Sequence, residues 1–502
     1  MTMPIGTVIS DHETPTFEVL RIKLRVGQDV KPGTLVSIPV KRTDNSILIG
    51  RIRSAYEHNP NEGPEDINVR DTLGIRANYP SEEDSTTIYR LVEAELMEEI
   101  VGSEIRAPQS LPNAGAEVYL SAEDEIVRSL GIIKDVNLGL FIGETASGTP
   151  TQIILKREAI QRHMFICGTT GSGKSYAMGV IAEELVKQGL PVVFIDTQDE
   201  YSSLVSKLGG KVVRPGEDFT IRISSLTESE LLNLLPNATT DLQRDIAARA
   251  FSELQSELAS DEIAKFSIGT LLQRMEIVGP QLTNKPDSVS MAVSRTRSLQ
   301  RNPIFGEGIE KADWRKFMYP CMAINCKRLT SSQLQPIATA VLRELQTLRL
   351  HGHIPPYVAV IDEAHLFVPD GEGSPCKQII REGVRIGRHH GISIILMTQS
   401  PVDIDKRAIR QCNTRLVFAL EPDQLEAIRG VKADASEEML RALPKMPRGT
   451  CLLSGTYESI KHTIPVRIRP RNTPDSEGGR TPDIFNEMKN EWIPTIEGLK
   501  KG

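Results

Sequence analysis

The string GTTGSGKS at residues 168–175 constrains the fold more than any other feature of this chain. It matches the phosphate-loop pattern G-x-x-x-x-G-K-[ST] at every required position. An apolar run, HMFIC at 163–167, precedes it, and Ala177, Val180, Ile181 and Leu185 follow at helical spacing. Strand, loop and helix in this order are the context that the motif needs, so the sequence predicts an α/β fold that binds a nucleoside triphosphate.

The chemistry of such a loop assigns roles to its residues. Glycines let the backbone curl so that N–H groups surround the phosphates, Lys174 places a cation on the β- and γ-phosphates, and the Ser175 hydroxyl coordinates Mg²⁺. We therefore predict ATP and Mg²⁺ as ligands. The predicted nucleotide-binding residues are Gly168, Thr170, Gly171, Ser172, Gly173, Lys174, Ser175 and Tyr176.

A second motif, YVAVIDEAH at 357–365, follows about 190 residues later. Its buried-strand pattern ends in two adjacent acids. Asp362 is predicted to hold Mg²⁺ through water, and Glu363 suits the general base that orients the attacking water. Gln399, after the strand-like ISIILMT, is a candidate sensor of the γ-phosphate, with a solvated glutamine at the strand end as the alternative.

Further strand-like runs define the rest of the predicted core. PVVFID (191–196), CMAIN (321–325), YVAVID, ISIILMT and TRLVFAL (414–420) are almost continuously apolar, which is typical of parallel strands covered on both faces. Residues 227–306 instead show helical spacing with Ser or Thr at predicted N-caps, which indicates an inserted helical bundle. The N-terminal part alternates short apolar runs with turns, which predicts a small β-barrel.

These patterns predict the domain boundaries. We expect a barrel at 1–120, an ATPase core at 140–226 and 307–470, the helical insertion at 227–306, and an extended tail at 471–502. The tail is polar and rich in Pro and Gly, so it is either disordered or lies across a neighbouring surface, such as that of another subunit.

Phosphoryl transfer needs more positive charge than one lysine supplies, and an arginine finger can provide it. The segment KQIIREGVRIGRHHG places Lys377, Arg381, Arg385 and Arg388 on one helical stripe, which either faces acidic groups or is simply solvated. The finger candidates are Arg388 and Arg415, with Arg162 as a weaker third.

Bulk composition narrows the class of protein. A net charge of −7 is not that of a protein that coats nucleic acid from outside, although a channel is still compatible with it. No stretch reads as a signal peptide or a membrane anchor, and the six scattered cysteines read as buried thiols in a reducing compartment. We expect a cytoplasmic protein. Lys207 and Lys211 are the sequence's candidates for DNA contact, with a plain surface turn as the alternative.

Taken together, HMFICGTTGSGKSYAMGVIAEEL, VVFIDTQDEY, YVAVIDEAHLFVP, GRHHG before ISIILMTQSP, and NTRLVFAL resemble the FtsK–HerA superfamily, in particular its archaeal HerA branch. The resemblance covers nearly the whole chain. It implies a RecA-like core, a HAS-type barrel, and a homohexameric helicase or translocase that moves duplex DNA through its pore. It also implies a NurA-type nuclease as partner in DNA-end resection, and Arg388 acting in trans. One departure is TQDEY at 197–201, where relatives commonly carry PHGEY, so the role of that loop in coupling hydrolysis to DNA movement is less certain.

Two other functions fit the same core. One is a peripheral membrane ATPase of the secretion or conjugation type, and the other is a nucleotide-switched scaffold without translocation. DNA stimulation of the ATPase that weakens with salt distinguishes the motor from the scaffold.

Overall fold

A computed structural model describes residues 3–10, 15–40, 46–58, 89–371, 374–430, 433–456, 458–473 and 488. The chain forms two compact units. The first contains residues 1–190 and 356–471, and the second contains 191–355 and the chain from 472. Most of the predicted tail lies outside the described residues.

A closed β-barrel forms the N-terminal part of the first unit. Six of its strands pair in the ring order β2-β1-β7-β3-β4-β5, and β5 pairs with β2 to close it. Inward residues such as Leu20, Ile22, Val36 and Leu48 are fully buried, because alternate side chains of each strand face the interior. The barrel predicted from the sequence is confirmed, and a short strand, β6, pairs with β5 beside it. The strands are β1 (Gly6–Ile9), β2 (Leu20–Leu24), β3 (Leu35–Val40), β4 (Ser46–His58), β5 (Tyr89–Val101), β6 (Glu104–Arg106) and β7 (Glu117–Leu120).

The remaining strands build the α/β core. In chain order they are β8 (Gly139–Thr145), β9 (Gln152–Lys156), β10 (Met164–Cys167), β11 (Val192–Asp196), β12 (Lys211–Val213), β13 (Cys321–Asn325), β14 (Tyr357–Ile361), β15 (Ile392–Thr398), β16 (Thr414–Val417), β17 (Thr450–Ser454) and β18 (Ile464–Ile468). In the first unit, β14, β15, β10 and β16 are parallel neighbours. Strands β17, β18, β8 and β9 continue that sheet in antiparallel fashion. In the second unit, β12, β13 and β11 are parallel.

The α-helices follow the predicted alternation with strands. They are α1 (Glu123–Leu130), α2 (Glu158–Gln161), α3 (Lys174–Lys187), α4 (Ser202–Lys207), α5 (Glu228–Leu234), α6 (Asp241–Ala259), α7 (Ile268–Leu282), α8 (Pro286–Arg297), α9 (Trp314–Met318), α10 (Ser331–Leu350), α11 (Pro375–His390), α12 (Lys406–Gln411), α13 (Leu425–Arg429) and α14 (Glu437–Ala442).

Helices α5–α8 form the inserted bundle of the second unit, as the helical spacing predicts. Their starts are determined by local hydrogen bonding. Thr227 accepts from the backbone N–H of Glu230, and the Glu230 carboxylate accepts in return from the N–H of Thr227. Ser267 caps α7 in the same way through Thr270. These caps satisfy N–H groups that the first helical turn leaves without partners.

One buried arginine links the barrel to the core within the first unit. Arg51 of β4 is 2% exposed, and it donates to the carbonyl oxygens of Thr463 and Asp434, both at 2.6 Å. It also pairs with Glu95 of β5. Burial raises the pKa of Asp434, but hydrogen bonding from His462 and the charge of Arg51 bring the net pKa well below its ordinary value. The barrel is thus fixed to the strand-end loops of the core by a charged network.

Candidate functional site

The phosphate loop lies at the carboxyl edge of the first unit's parallel strands. Strand β10 ends at Cys167, which lies opposite Thr398 of β15 and Val417 of β16. The loop then leads directly into α3, a helix of 14 residues. The N-terminus of such a helix directs free N–H groups and a positive partial charge at an anion, so this edge can hold the phosphates.

Steric space inside the loop explains its first glycine. Gly168 has φ of +156°, and a Cβ there would lie 2.6 Å from the Cβ of Phe418 and 2.7 Å from the Ser172 Oγ. The carbonyl oxygen of Thr169 accepts from the Ser172 hydroxyl at 2.7 Å and from the Lys174 ammonium at 3.1 Å. The loop therefore holds the Lys174 ammonium at its own curl, next to where a phosphate would bind.

The acid pair lies at the same edge. Ile361, the last residue of β14, pairs with Leu396 of β15, so Asp362 and Glu363 follow their strand where the phosphate loop follows β10. Asp362 is 5% exposed. A loop hydroxyl, a lysine and an acid at one edge are the donor set that Mg²⁺ and a triphosphate use together, since Mg²⁺ takes one or two protein oxygens and otherwise binds phosphate and water.

Glu363 has a strained backbone and a partly exposed side chain with one buried carboxylate oxygen. Its φ of +45° is unusual for a residue with a side chain, and its Oε2 is buried without a hydrogen bond. The nearest base is the Nδ1 of His365, 3.3 Å away, which in turn lies 3.2 Å from the Thr398 hydroxyl. Strain and an unsatisfied buried oxygen persist where function requires them. This oxygen is suited to accept a hydrogen bond from an attacking water.

Gln399 is coupled directly to the phosphate loop. Its Oε1 accepts a hydrogen bond of 2.7 Å from the Thr170 hydroxyl. A contact between the tip of the loop and the end of β15 is what a sensor of the bound phosphate needs, because a change at the loop can alter this hydrogen bond.

The three arginine candidates lie near the opposite edge of the sheet, where its parallel strands start. Arg388 lies near the end of α11 and four residues before β15 starts, whereas β15 reaches the phosphate-loop edge only after seven residues. Seven extended residues span about 20 Å. The exposed Arg388 also lines a cavity of about 370 Å³. It therefore lies at the edge of the sheet opposite its own phosphate loop.

Arg415 and Arg162 are more constrained. Arg415 lies within β16, opposite Phe165, and is 9% exposed, and burial lowers the pKa of its guanidinium. Arg162 forms an ion pair with Glu458. Of the three, Arg388 has the most accessible side chain.

The predicted basic stripe on α11 is not exposed along its whole length. Lys377 is buried, donates to the carbonyl oxygen of Pro369 at 2.7 Å, and forms an ion pair of 3.0 Å with Asp405. Lys377 therefore faces an acidic group inside its own unit, while Arg385 and Arg388 are exposed.

Sequence reasoning missed His163, which lies at the start of β10 and fixes the position of α11. Its Nδ1 accepts from the backbone N–H of Ile394 at 3.0 Å, so its Nε2–H donates to the carbonyl oxygen of Val384 at 2.8 Å. Burial lowers its pKa to about 4. One turn later, a Cβ at Gly387 would lie 2.4 Å from the carbonyl oxygen of Ile392. The neutral imidazole and this close approach set where Arg388 projects.

Two further arginines, neither of them among the predicted site residues, pack on α3. Arg469 is 8% exposed and contacts the carboxylates of Glu183 and Glu184 at 3.0 and 2.8 Å. The backbone N–H of Arg471 donates to the Tyr176 hydroxyl at 2.8 Å, and its guanidinium lies 5.5 Å from the centre of the Tyr176 ring. The segment after β18 therefore braces the helix that begins in the phosphate loop.

Lys207 and Lys211, the sequence's DNA candidates, lie in the second unit. Lys207 is exposed at the end of α4. Lys211 opens β12, forms an ion pair of 3.6 Å with Asp218, and lies 4.0 Å over the Phe317 ring. Lys211 is therefore already engaged within the unit.

In the part of the chain that the structure describes, no helix has the length and apolarity to cross a membrane. Nor do the described residues contain a cluster of three or more His, Cys, Asp or Glu side chains arranged to hold a metal ion without other ligands.

Comparison with known proteins shows which proteins the chain resembles. The family model described as "Helicase HerA, central domain" matches residues 138–345, and an AAA-like domain model matches 328–468. The DNA double-strand break repair helicase HerA of Sulfolobus acidocaldarius is 22% identical and is aligned over 97% of both chains. The protein of the same name from Saccharolobus solfataricus is also 22% identical, over 100% of this chain and 98% of its own.

Among solved structures, VirB4 of Thermoanaerobacter pseudethanolicus matches with a TM-score of 0.50 and 16% identity, over 68% of this chain and 99% of that one. This likeness concerns the fold, a P-loop ATPase core. Motif geometry, family models and full-length relatives agree: the chain carries a match to the central domain of the HerA helicases and is similar to HerA proteins along its whole length.

Proposed function

We propose that this protein is an ATP-driven DNA translocase or helicase that works as a homohexameric ring. The observation that carries the proposal is the common edge at which the phosphate loop, Asp362 and Glu363 meet, with an oxygen of Glu363 buried and without a hydrogen bond. Such a carboxylate supports hydrolysis, because it can accept a hydrogen bond from the attacking water. The relatives named as DNA double-strand break repair helicases support DNA as the substrate.

In this proposal, ATP with Mg²⁺ supplies the transferable phosphoryl group. Lys174 and the N-terminus of α3 hold the phosphates, and Ser175 and Asp362 provide oxygens for the metal ion. Glu363 orients and deprotonates the attacking water. Gln399 reports the state of the loop through its hydrogen bond with Thr170.

The position of Arg388 supports the proposal of a ring. Arg388 is at the sheet edge opposite its own phosphate loop, so it completes a nucleotide site only if another subunit brings its phosphates there. An arginine supplied in trans can raise hydrolysis by about 10³–10⁵-fold. Arg388 is therefore our proposed finger, and Arg415 and Arg162 are held less accessibly.

We further propose that duplex DNA passes through the centre of the ring and that a NurA-type nuclease docks on the barrel during DNA-end resection in the cytoplasm. The barrel is taken as residues 1–120, the core as 140–226 and 307–470, and the insertion as 227–306. The described elements support these boundaries, because the last barrel strand ends at Leu120 and the inserted helices α5–α8 lie within 227–306. The names of the relatives support the role in DNA repair.

The test combines ATPase measurements with subunit mixing. Glu363→Gln should lose hydrolysis by at least about 10²-fold while still binding ATP, since the catalytic base is lost but not the phosphate loop. In rings mixed with Arg388→Ala subunits, activity should fall faster than the fraction of mutant, because each mutant disables its neighbour's site. A loss in strict proportion to mutant content would contradict the shared site.

DNA stimulation separates the motor from its alternatives. The wild-type ATPase should rise with duplex DNA, and the effect should weaken steeply with salt because neutralised phosphates release counterions. A rate indifferent to DNA would favour the nucleotide-switched scaffold. Stimulation by lipid vesicles in place of DNA would favour a secretion or conjugation-type ATPase.

A further inference from the structure

Three basic residues gather at one edge of the second unit, and the proposed function has not used them. Its strands β11, β12 and β13 are parallel, so their carboxyl ends meet at a single edge. Arg214 directly follows β12, and Lys327 and Arg328 follow β13. Ligands of open α/β sheets bind at this edge.

These side chains surround a cavity of about 480 Å³. Arg214 and Lys327 are exposed, and neither forms an ion pair with another described residue. Arg328 pairs with Glu217 at 3.2 Å on the rim, with both side chains more than half exposed. Such an exposed pair contributes little and is readily exchanged for another anion.

The cavity's remaining acid is already engaged. Asp199 accepts a hydrogen bond of 2.7 Å from the Asn325 amide and another from the Ser202 hydroxyl. These bonds draw its carboxylate toward the wall formed by β13 and α4. Two cations without ion-pair partners and one exchangeable arginine are therefore left for an incoming ligand, which must be an anion.

The two lysines that the sequence singled out lie elsewhere. Strand β12 runs from Lys211 to Val213, so Lys211 marks its amino end and Arg214 follows its carboxyl end. Lys207 closes α4 before the turn into that amino end. Arg214, Lys327 and Arg328 thus lie at the carboxyl edge of the sheet, whereas Lys207 and Lys211 lie at the amino end of β12.

We propose that Arg214, Lys327 and Arg328 form a binding site for phosphates of the DNA backbone. The proposal rests on the proposed function and names the residues by which this unit holds its substrate. Arg214 and Arg328 can each form paired hydrogen bonds to one phosphate, and Lys327 adds a point charge between them. Contacts of this kind hold DNA of any sequence, which a translocating protein needs.

The experiment compares two double variants that remove equal charge. Arg214→Ala with Lys327→Ala takes two cations from the cavity, and Lys207→Ala with Lys211→Ala takes two from the other end. Binding of a fluorescent 30-base-pair duplex is measured from 50 to 300 mM salt by the full-length protein. ATPase without DNA and the midpoint of thermal unfolding are recorded for each variant.

Loss of two phosphate contacts should reduce the slope of log K against log salt by about 1.8, and duplex affinity at 0.1 M salt should fall by about tenfold or more. The cavity variant should show this with unchanged ATPase in the absence of DNA, and the control pair should bind as the wild type does. An unchanged slope in the cavity variant, or an equal loss in the control, would overturn the site.

Two further outcomes are informative. If the cavity variant loses ATPase activity without DNA, the anion is a nucleotide or free phosphate and the DNA assignment fails. If the wild type itself binds no duplex, the proposed function fails together with the site, and this result differs from wild-type binding with an unaltered variant.

Discussion

Replacing Lys377 by methionine should loosen α11, the helix that carries Arg388. The Lys377 ammonium lies 3.0 Å from the Asp405 carboxylate, and both side chains are less than 10% exposed. Asp405 also accepts from the backbone N–H groups of Arg407 and Ala408, which caps α12. Burial raises the pKa of Asp405, but the hydrogen bonds from Lys377 and the cap outweigh it and bring the pKa below its ordinary value.

The cost of the change follows from the charge left behind. Without the lysine, Asp405 is a buried carboxylate without its counter-ion, and breaking a buried pair costs about 3–5 kcal/mol. Adding Asp405→Asn removes that charge and retains an oxygen for the α12 cap, since asparagine caps helices as well as aspartate does. We therefore expect the double variant to recover more than half of the loss.

Amide hydrogen exchange of peptides from α11 is the appropriate assay, because a chain of several domains has no single free energy of unfolding. Protection of these amides should fall by about 10²–10⁴-fold in Lys377→Met and recover in the double variant. Arg385→Met, an exposed change on the same helix, is the control and should leave protection intact. Equal protection in Lys377→Met and wild type, or a double variant as exposed as the single one, would refute the reasoning.

Two other predictions concern the loop and the helix. Gly168→Ala should abolish nucleotide binding in calorimetry, since its Cβ would lie 2.6 Å from a neighbouring β-carbon, whereas Gly171→Ala meets no atom within 4 Å and should bind more weakly at most. Binding by Gly168→Ala at wild-type affinity would contradict the packing argument. His163, with its pKa lowered to about 4, contributes stability above pH 6.5 that is lost as pH falls toward 4, worth about 3 kcal/mol. Amide hydrogen exchange in α11 should therefore rise on acidification in the wild type and in the exposed control His389→Asn. It should rise less steeply in His163→Asn. Identical pH profiles in all three proteins would exclude His163 as the cause.

The sequence predicted the fold well where the pattern is local. Apolar alternation located the barrel strands, and helical spacing with Ser and Thr caps located the inserted helices. It did not indicate that β17, β18, β8 and β9 extend the sheet in antiparallel fashion, because the partners of a strand depend on residues distant in sequence. Motif spacing brought the phosphate loop and the acid pair together. Motif spacing could not show that Lys377 is buried whereas Arg388 is exposed, since both occupy one helical stripe.

Buried residues around α11 explain how an exposed arginine can be held in a precise position. A finger must be held within about 0.5 Å of its productive position, and a side chain at a helix end has no contacts of its own to achieve this. Here buried contacts hold the helix in place. Lys377 pairs with Asp405 at the first turn of α11, and His163 accepts a hydrogen bond from β15 and donates one to α11. The lack of a side chain at Gly387 lets the last turn of α11 touch β15. All three anchors are buried, and a charge pattern in the sequence does not show that they hold the helix in place. If Arg388 serves a neighbour's nucleotide, substitution of these anchors should lower the ring's hydrolysis without weakening the binding of ATP to the subunit's own loop.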